Sequence, residues 1–200
     1  MSQLIQNQNL SELCLSQTDA LNYLLIDGVK MEPVLKWVYQ HIENPEWYPL
    51  YKNTRYQDVI DLSPCLVKVP PDSDIANQFD SKLGSEGEAI WLQSSNNIET
   101  LGPHLSRLLW ITTEDGRYLH YRFYDPASLS RLAPALTPEE SAKLYNGVES
   151  IIWFNAQQRI WQKLAMPHSD IPLTHSGATL TPSVGIMFKS KWMDATLASP

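Results

Sequence analysis

The 200-residue chain is expected to fold as a single α/β domain, with α+β also possible: a mixed sheet of about six strands flanked by helices. Three observations lead there. Short β-prone apolar runs alternate with segments of helical periodicity. Two helical segments open on cap signatures, DPAS from Asp125 and TPEE from Thr137. Asp115-Gly116, between β-prone flanks, is a two-residue hairpin signal, so part of the sheet is expected to be antiparallel.

Taken in order, residues 1–19 are polar and read as an N-terminal arm. Leu21 to Ile26 is a short apolar run closed by Asp27-Gly28, the pattern of a buried strand and turn. EPVLKWVYQHI reads as a helix with Pro33 in its first turn, where no N–H is needed. Leu35, Val38 and Ile42 share one face of it, and Trp37 lies roughly 130° away. EWYPLYKNT is extended and broken by Pro49. SPCLVKVP alternates Cys65, Val67 and Val69 against Leu66 and Lys68, as a strand does. DSDIANQFDSKLG reads as a helix, with Asp74 as N-cap and Gly84 just past its end. EAIWLQS is another strand. TLGPHLSRLLW is a helix with Leu105, Leu108 and Leu109 turned inward.

The hairpin comes next, its second strand expected from Arg117 to Tyr124. Two capped helices follow, the second ending at Asn146-Gly147. VESIIWF reads as a strand and AQQRIWQKLA as a short helix. The expected domain is residues 20–165, and residues 166–200 form a Pro-containing C-terminal tail rich in Ser and Thr.

The formal charge is −7 with a pI near 5.2. Nucleic-acid binders gain affinity by placing Lys and Arg on phosphates, so that class is disfavoured, as is an anionic membrane surface. The apolar runs are far shorter than the ~20 residues a membrane span needs, so no membrane insertion is expected. The N-terminus lacks the basic start and apolar run of a secretory signal. Two cysteines, Cys14 and Cys65, are too few for a disulfide scaffold. A cytoplasmic protein is the expectation.

The stretch HYRFYDP, residues 120–126, has the vocabulary of a catalytic site. It also has that of a strand running into a helix cap. Strand alternation would put Tyr118, His120, Arg122 and Tyr124 on one polar, aromatic face, and Leu119, Tyr121 and Phe123 on a core face. Asp125 is explained as an N-cap with Pro126 at the first helical position. The His120–Arg122 pair could hold a carboxylate, although a solvated sheet face is the commoner outcome.

Other chemistry is poorly supplied. The five histidines show no zinc spacing, and isolated cysteines make no half-site, so no metal is expected. No Gly-rich phosphate loop is present, and no cofactor is expected. There is no G-x-S-x-G elbow. A small hydrolase would have to use His104 or His120 with an Asp or with Cys65. A free cysteine within a strand is more often a small buried apolar residue.

The order of segments carries more than any single motif. LNYLLIDG, YPLYKNT, SPCLVKV, GEAIWLQS, LGPHLSRLLWI, RFYDP and LTPEESAKLYNGVES follow one another from Leu21 to Phe154. This ordered set resembles the bacterial family called domain of unknown function 4123, in which RFYDP (Arg122, Phe123, Tyr124, Asp125, Pro126) is a hallmark. The resemblance implies a non-enzymatic adaptor chaperone of the type VI secretion system. Such a protein holds an effector in the producing cell and helps load it onto the VgrG spike. No family catalytic residues exist to carry over. Many relatives continue into a longer C-terminal lobe where this sequence has a short tail, so effector contact is expected at a smaller surface or at the tail. The expected partner-binding residues are Tyr118, His120, Arg122 and Tyr124, with Trp161, Phe188 and Trp192. Core packing is the competing account for each. An immunity protein that neutralises a toxin is the alternative binding function.

Overall fold

The computed structural model describes residues 3–14, 20–71, 73–113, 116–166 and 186–188. Its strands are β1 (Gln3–Asn7), β2 (Leu21–Ile26), β3 (Trp47–Pro49), β4 (Cys65–Lys68), β5 (Ala89–Ser94), β6 (Trp110–Thr113), β7 (Tyr118–His120), β8 (Ser150–Asn155), β9 (Ile160–Ala165) and β10 (Ile186–Phe188). Its α-helices are α1 (Leu10–Cys14), α2 (Val34–His41), α3 (Ile75–Gln78), α4 (Ile98–Leu108), α5 (Pro126–Leu132) and α6 (Pro138–Leu144).

Seven strands form one sheet in the order β1-β9-β8-β5-β2-β4-β3, with every neighbouring pair antiparallel. The chain is therefore a single α+β domain. The expected mixing of strand directions occurs instead in a second, three-stranded sheet. There β6 pairs antiparallel with β7 and parallel with β10.

Both faces of the main sheet are covered. Along β2, Tyr23 and Leu25 enter one cluster while Leu24 and Ile26 enter the other, as the two-residue period of a strand requires. The same split runs through β5, where Ile90 and Leu92 oppose Ala89 and Trp91. Leu101 and Leu105 of α4, Leu129 and Leu132 of α5, and Leu144 of α6 cover the first face. Leu10 and Leu13 of α1, Val34 and Val38 of α2, and Ile75 of α3 cover the second. A strand buried on both faces reads as a continuous apolar run, which is why LNYLLI and AIWLQS look as they do.

Several expectations are corrected. Within the N-terminal arm, β1 pairs with β9 from Gln3↔Ala165 to Asn7↔Trp161, and α1 packs its leucines on the sheet. AQQRIWQKLA is not a helix but the return strand β9. It follows a tight turn in which Arg159 takes φ +55°. The amphipathic look of that segment came from Gln162 and Lys163, which are buried polar residues of a sheet rather than one side of a helix. Gly84 is not in the left-handed region (φ −75°); Gly87, at φ +71°, is. Gly84 is small because a Cβ there would lie 2.5 Å from the Trp161 ring. Asp74 makes no cap bond to the backbone, and its carboxylate accepts instead from the side chains of Asn77 and Gln78. On α2 the buried residues are Val34 and Val38, whereas Leu35 is exposed.

The capped helices match expectation. Asp125 accepts the Ser128 N–H at 2.9 Å. Thr137 and Glu140 form the reciprocal capping box, at 3.2 Å and 3.0 Å.

Two substitutions test this account by urea denaturation. At Gly28 an added Cβ would sit 2.2 Å from the Ser63 carbonyl oxygen, which is backbone and cannot swing aside. Gly28→Ala is expected to cost about 2–3 kcal/mol, the range for overpacking. Thr137→Ala removes one half of the capping box and is expected to cost about 1 kcal/mol.

Candidate functional site

The β7 strand stops at His120, four residues short of its expected end. The Tyr121 N–H returns to the Leu109 carbonyl at 2.8 Å, and the Asp125 N–H closes a turn onto the Arg122 carbonyl at 3.0 Å. Strand alternation therefore lapses at Tyr121. Tyr121, Phe123 and Tyr124 all enter the core, and Arg122 alone points outward. The four residues expected on one polar face do not share it. Tyr118 is 53 % exposed, His120 is half-buried, and Tyr124 is buried.

Arg122 has a specific destination. Its Nη2 donates to the carboxylate of Asp27, the first residue past β2. Asp27 is only 2 % exposed, and its other carboxylate oxygen accepts the Val29 N–H at 3.0 Å. The Arg122 guanidinium also lies 5.6 Å from the centre of the Tyr124 ring. Burial would lower the Arg122 pKa, but the Asp27 carboxylate outweighs it and holds the group above its ordinary value. The Tyr124 hydroxyl is pushed well above its ordinary value, first by burial and then by Tyr51 and Asp27.

A second charge pair lies beside the first. Lys30 Nζ donates to Asp125 Oδ1 at 3.2 Å and to the Gly87 carbonyl at 2.9 Å. Asp125 Oδ2 accepts from the Ser128 N–H and hydroxyl at 2.9 and 3.0 Å. Burial would raise the Asp125 pKa. The Ser128 N–H and Lys30 outweigh it and hold the carboxyl below its ordinary value. RFYDP is thus strapped at both ends to the loop that leaves β2. Each charge in it is occupied with its neighbour, which is a structural task.

Next to the strap is an aromatic face. Tyr56 stacks on Trp110 with ring centres 4.9 Å apart and planes 15° from parallel. His120 meets Tyr56 edge-on at 5.2 Å and Trp110 at 5.5 Å. Tyr51 closes the back of the group, 5.0 Å from Tyr56. The Arg55 guanidinium lies over the Trp110 ring at 4.4 Å. Tyr56, Trp110 and His120 are half-buried, and Arg55 is exposed. The sequence reading missed Arg55, Tyr56 and Trp110. The available signal was the loop WYPLYKNTRY, unusually rich in aromatics for a segment broken by proline.

Cys65 is not brought to His104 or His120. Cys65 is buried in the cluster on the second face of the sheet. The α4 helix that carries His104, and the Tyr56–Trp110 pair that holds His120, belong to the first face. Burial also pushes the Cys65 thiol up to about 12, so it stays protonated at neutral pH. Burial pushes His104 down to about 4, with Arg107 adding to the effect, and it lowers His120, with Arg122 adding. Among the described residues, no group of three or more His, Cys, Asp or Glu could hold a metal ion. No described helix is long and apolar enough to cross a membrane.

Of the remaining expected contact residues, Trp161 is 3 % exposed and packs on Phe79 at 5.1 Å and Phe154 at 5.2 Å. It is a core residue here because β9 turns it into the second cluster. Phe188 falls in β10, opposite Thr113. Trp192 lies outside the described residues.

Residues 22–143 match the family described as Domain of unknown function (DUF4123), and the chain belongs to that family. Comparison with curated proteins and with solved structures gives no match.

Removing Arg122 would leave the Asp27 carboxylate buried without its cation. Because the guanidinium is 42 % exposed, the cost is expected below that of a fully buried pair, about 2–3 kcal/mol for Arg122→Ala. Asp27→Asn in the same chain should recover part of it, and a double-mutant cycle in urea measures the coupling. His104 supplies a pH test. Its folded pKa, about 4, lies below its ordinary 6.5, so between those values the unfolded chain binds more protons. Stability should therefore fall as pH drops from 6.5 towards 4. His104→Gln should flatten that part of the urea-midpoint profile, with His120 supplying the slope that remains.

Proposed function

We propose that this protein is a non-catalytic adaptor chaperone: it binds a type VI secretion effector in the cytoplasm of the producing cell and helps present it to the VgrG spike. Membership of the family supports this reading, since adaptor work is what the family is generally associated with. The observation that carries it on the chain itself is the Arg55–Trp110–Tyr56–His120 face. Large aromatic side chains are held there half-exposed by stacking, beside an arginine that forms no ion pair among the described residues. Aromatics and arginine are the residue types enriched at protein–protein hot spots. The mechanism is binding: cover an apolar segment of the effector, keep it soluble, and deliver it.

Tyr118, His120 and Arg122 retain accessible surface and are proposed contacts, together with Phe188 and Trp192 of the C-terminal segment. Tyr124 is proposed to act behind them, by holding Tyr51 and Arg122 in place.

The test is a tagged pull-down from the native bacterium after a moderate salt wash, read by mass spectrometry. Recovery of a toxin-like protein together with a spike protein is the expected result. Recovery of the toxin alone, with protection of cells that express it, would support an immunity protein instead. Failure to recover either, with both expressed, would sink the adaptor reading.

A further inference from the structure

We infer that the face formed by Arg55, Trp110, Tyr56, His120 and Arg122 receives an acidic, extended segment of a partner protein, one that also carries a large apolar or aromatic side chain. This rests on the adaptor reading and names the chemistry of what the adaptor grips. The first reason is charge. The chain carries a net −7, yet cations gather here. Arg55 lies over the Trp110 ring, and Arg122 is near enough to His120 to act on its charge. The local carboxylates Asp27 and Asp125 are consumed by Arg122 and Lys30. The exposed acids nearest in sequence are Asp58 and Asp61, on the turn Gln57–Leu62 that leads away from Arg55.

The second reason is preorganisation. A guanidinium stacked on an indole keeps its in-plane N–H edge free for a carboxylate, and the stack restrains it beforehand. The Arg55 Cζ lies 4.4 Å from the centre of the Trp110 ring, and Arg55 forms no ion pair among the described residues. Arg122 is held by Asp27 through one nitrogen and keeps much of its remaining surface in water. Beside Arg55, Tyr56 and Trp110 offer a stacked, half-exposed apolar floor. A segment matching both features needs acids flanking an apolar anchor. A basic segment would meet like charge at Arg55 and Arg122.

The test uses the full chain and labelled short peptides of alternating Glu and Trp, Lys and Trp, or Glu and Ser, read by fluorescence anisotropy. The Glu–Trp peptide is expected to bind, more weakly as salt rises, and the Lys–Trp peptide not to bind. Arg55→Glu should weaken the Glu–Trp peptide by about tenfold or more, the loss of a charge-assisted hydrogen bond. Arg55→Lys keeps the charge but loses the planar stack, and should weaken it by about threefold. Arg55 is exposed, so both variants should keep the wild-type melting curve. Equal binding of the Lys–Trp peptide, no binding of the Glu–Trp peptide, or no effect of Arg55→Glu would overturn the inference. A photo-crosslinker at Tyr56 identifies the native occupant. Crosslinks to an acidic segment of the partner support the inference. Crosslinks to residues 189–200 of the same chain or to a second copy refute it. If wild type and Arg55→Glu recover the same partner equally well, this surface is wrong and the adaptor reading survives. If neither recovers a partner, the adaptor reading fails while the peptide titration still judges the surface.

Discussion

The rest of the structure depends on burying both faces of the β2–β5 pair. These strands exchange hydrogen bonds from Leu21↔Ser94 to Ile26↔Ala89, and every residue of β5 is buried. Two-sided burial needs a helical layer on each side, and the chain supplies them by alternating. The α4, α5 and α6 helices take one face, and α1, α2 and the α3 turn take the other. It also leaves few places where a polar group can stand. The β2 strand ends in the core at Ile26, and the next residue, Asp27, is a buried carboxylate that requires a cation. Arg122 meets that need. The position of RFYDP follows from where β2 leaves the core.

Polar groups inside the sheet obey the same constraint. Asn22 Oδ1 accepts from Trp91 Nε1 and Gln93 Nε2, at 3.0 and 3.1 Å. Gln93 Oε1 in turn accepts from the Ser150 hydroxyl at 2.7 Å and from Lys163 Nζ at 3.0 Å. Lys163 also donates to the Leu13 carbonyl at 2.8 Å. A lysine at 2 % exposure is tolerable only with acceptors of this kind. The network runs across β2, β5, β8 and β9 and reaches α1, so it binds the N-terminal segment to the sheet.

The aromatic face owes its character to the same geometry. His120 ends β7 just before Tyr121 turns into the core, so it stays at the surface among Tyr56 and Trp110. Tyr51, which packs on Tyr56 at 5.0 Å and faces His120 at 6.3 Å, ties the loop that carries Arg55 to the end of β7. Core, strap and aromatic face are continuous, and each rests on the one beneath it.

By itself the sequence determined the elements whose signals are local. The buried strands LNYLLI and AIWLQS, the capped helices after Asp125 and Thr137, and the combination of strands and helices in one domain are legible because burial period and cap chemistry act over a few residues. RFYDP was legible as a strand end and cap for the same reason. Only the tertiary structure decided the rest. Gln3–Asn7 is polar because it is an edge strand, and its partner β9 lies about 150 positions away in sequence. IWQKLA looks helical because its buried Gln162 and Lys163 are satisfied by groups from other strands and from α1. The pairing of Asp27 with Arg122 spans 95 positions, and the gathering of Arg55, Tyr56, Trp110 and His120 joins a loop to a hairpin. Those are contacts between segments, set by where each strand leaves the core, and no window of sequence contains them.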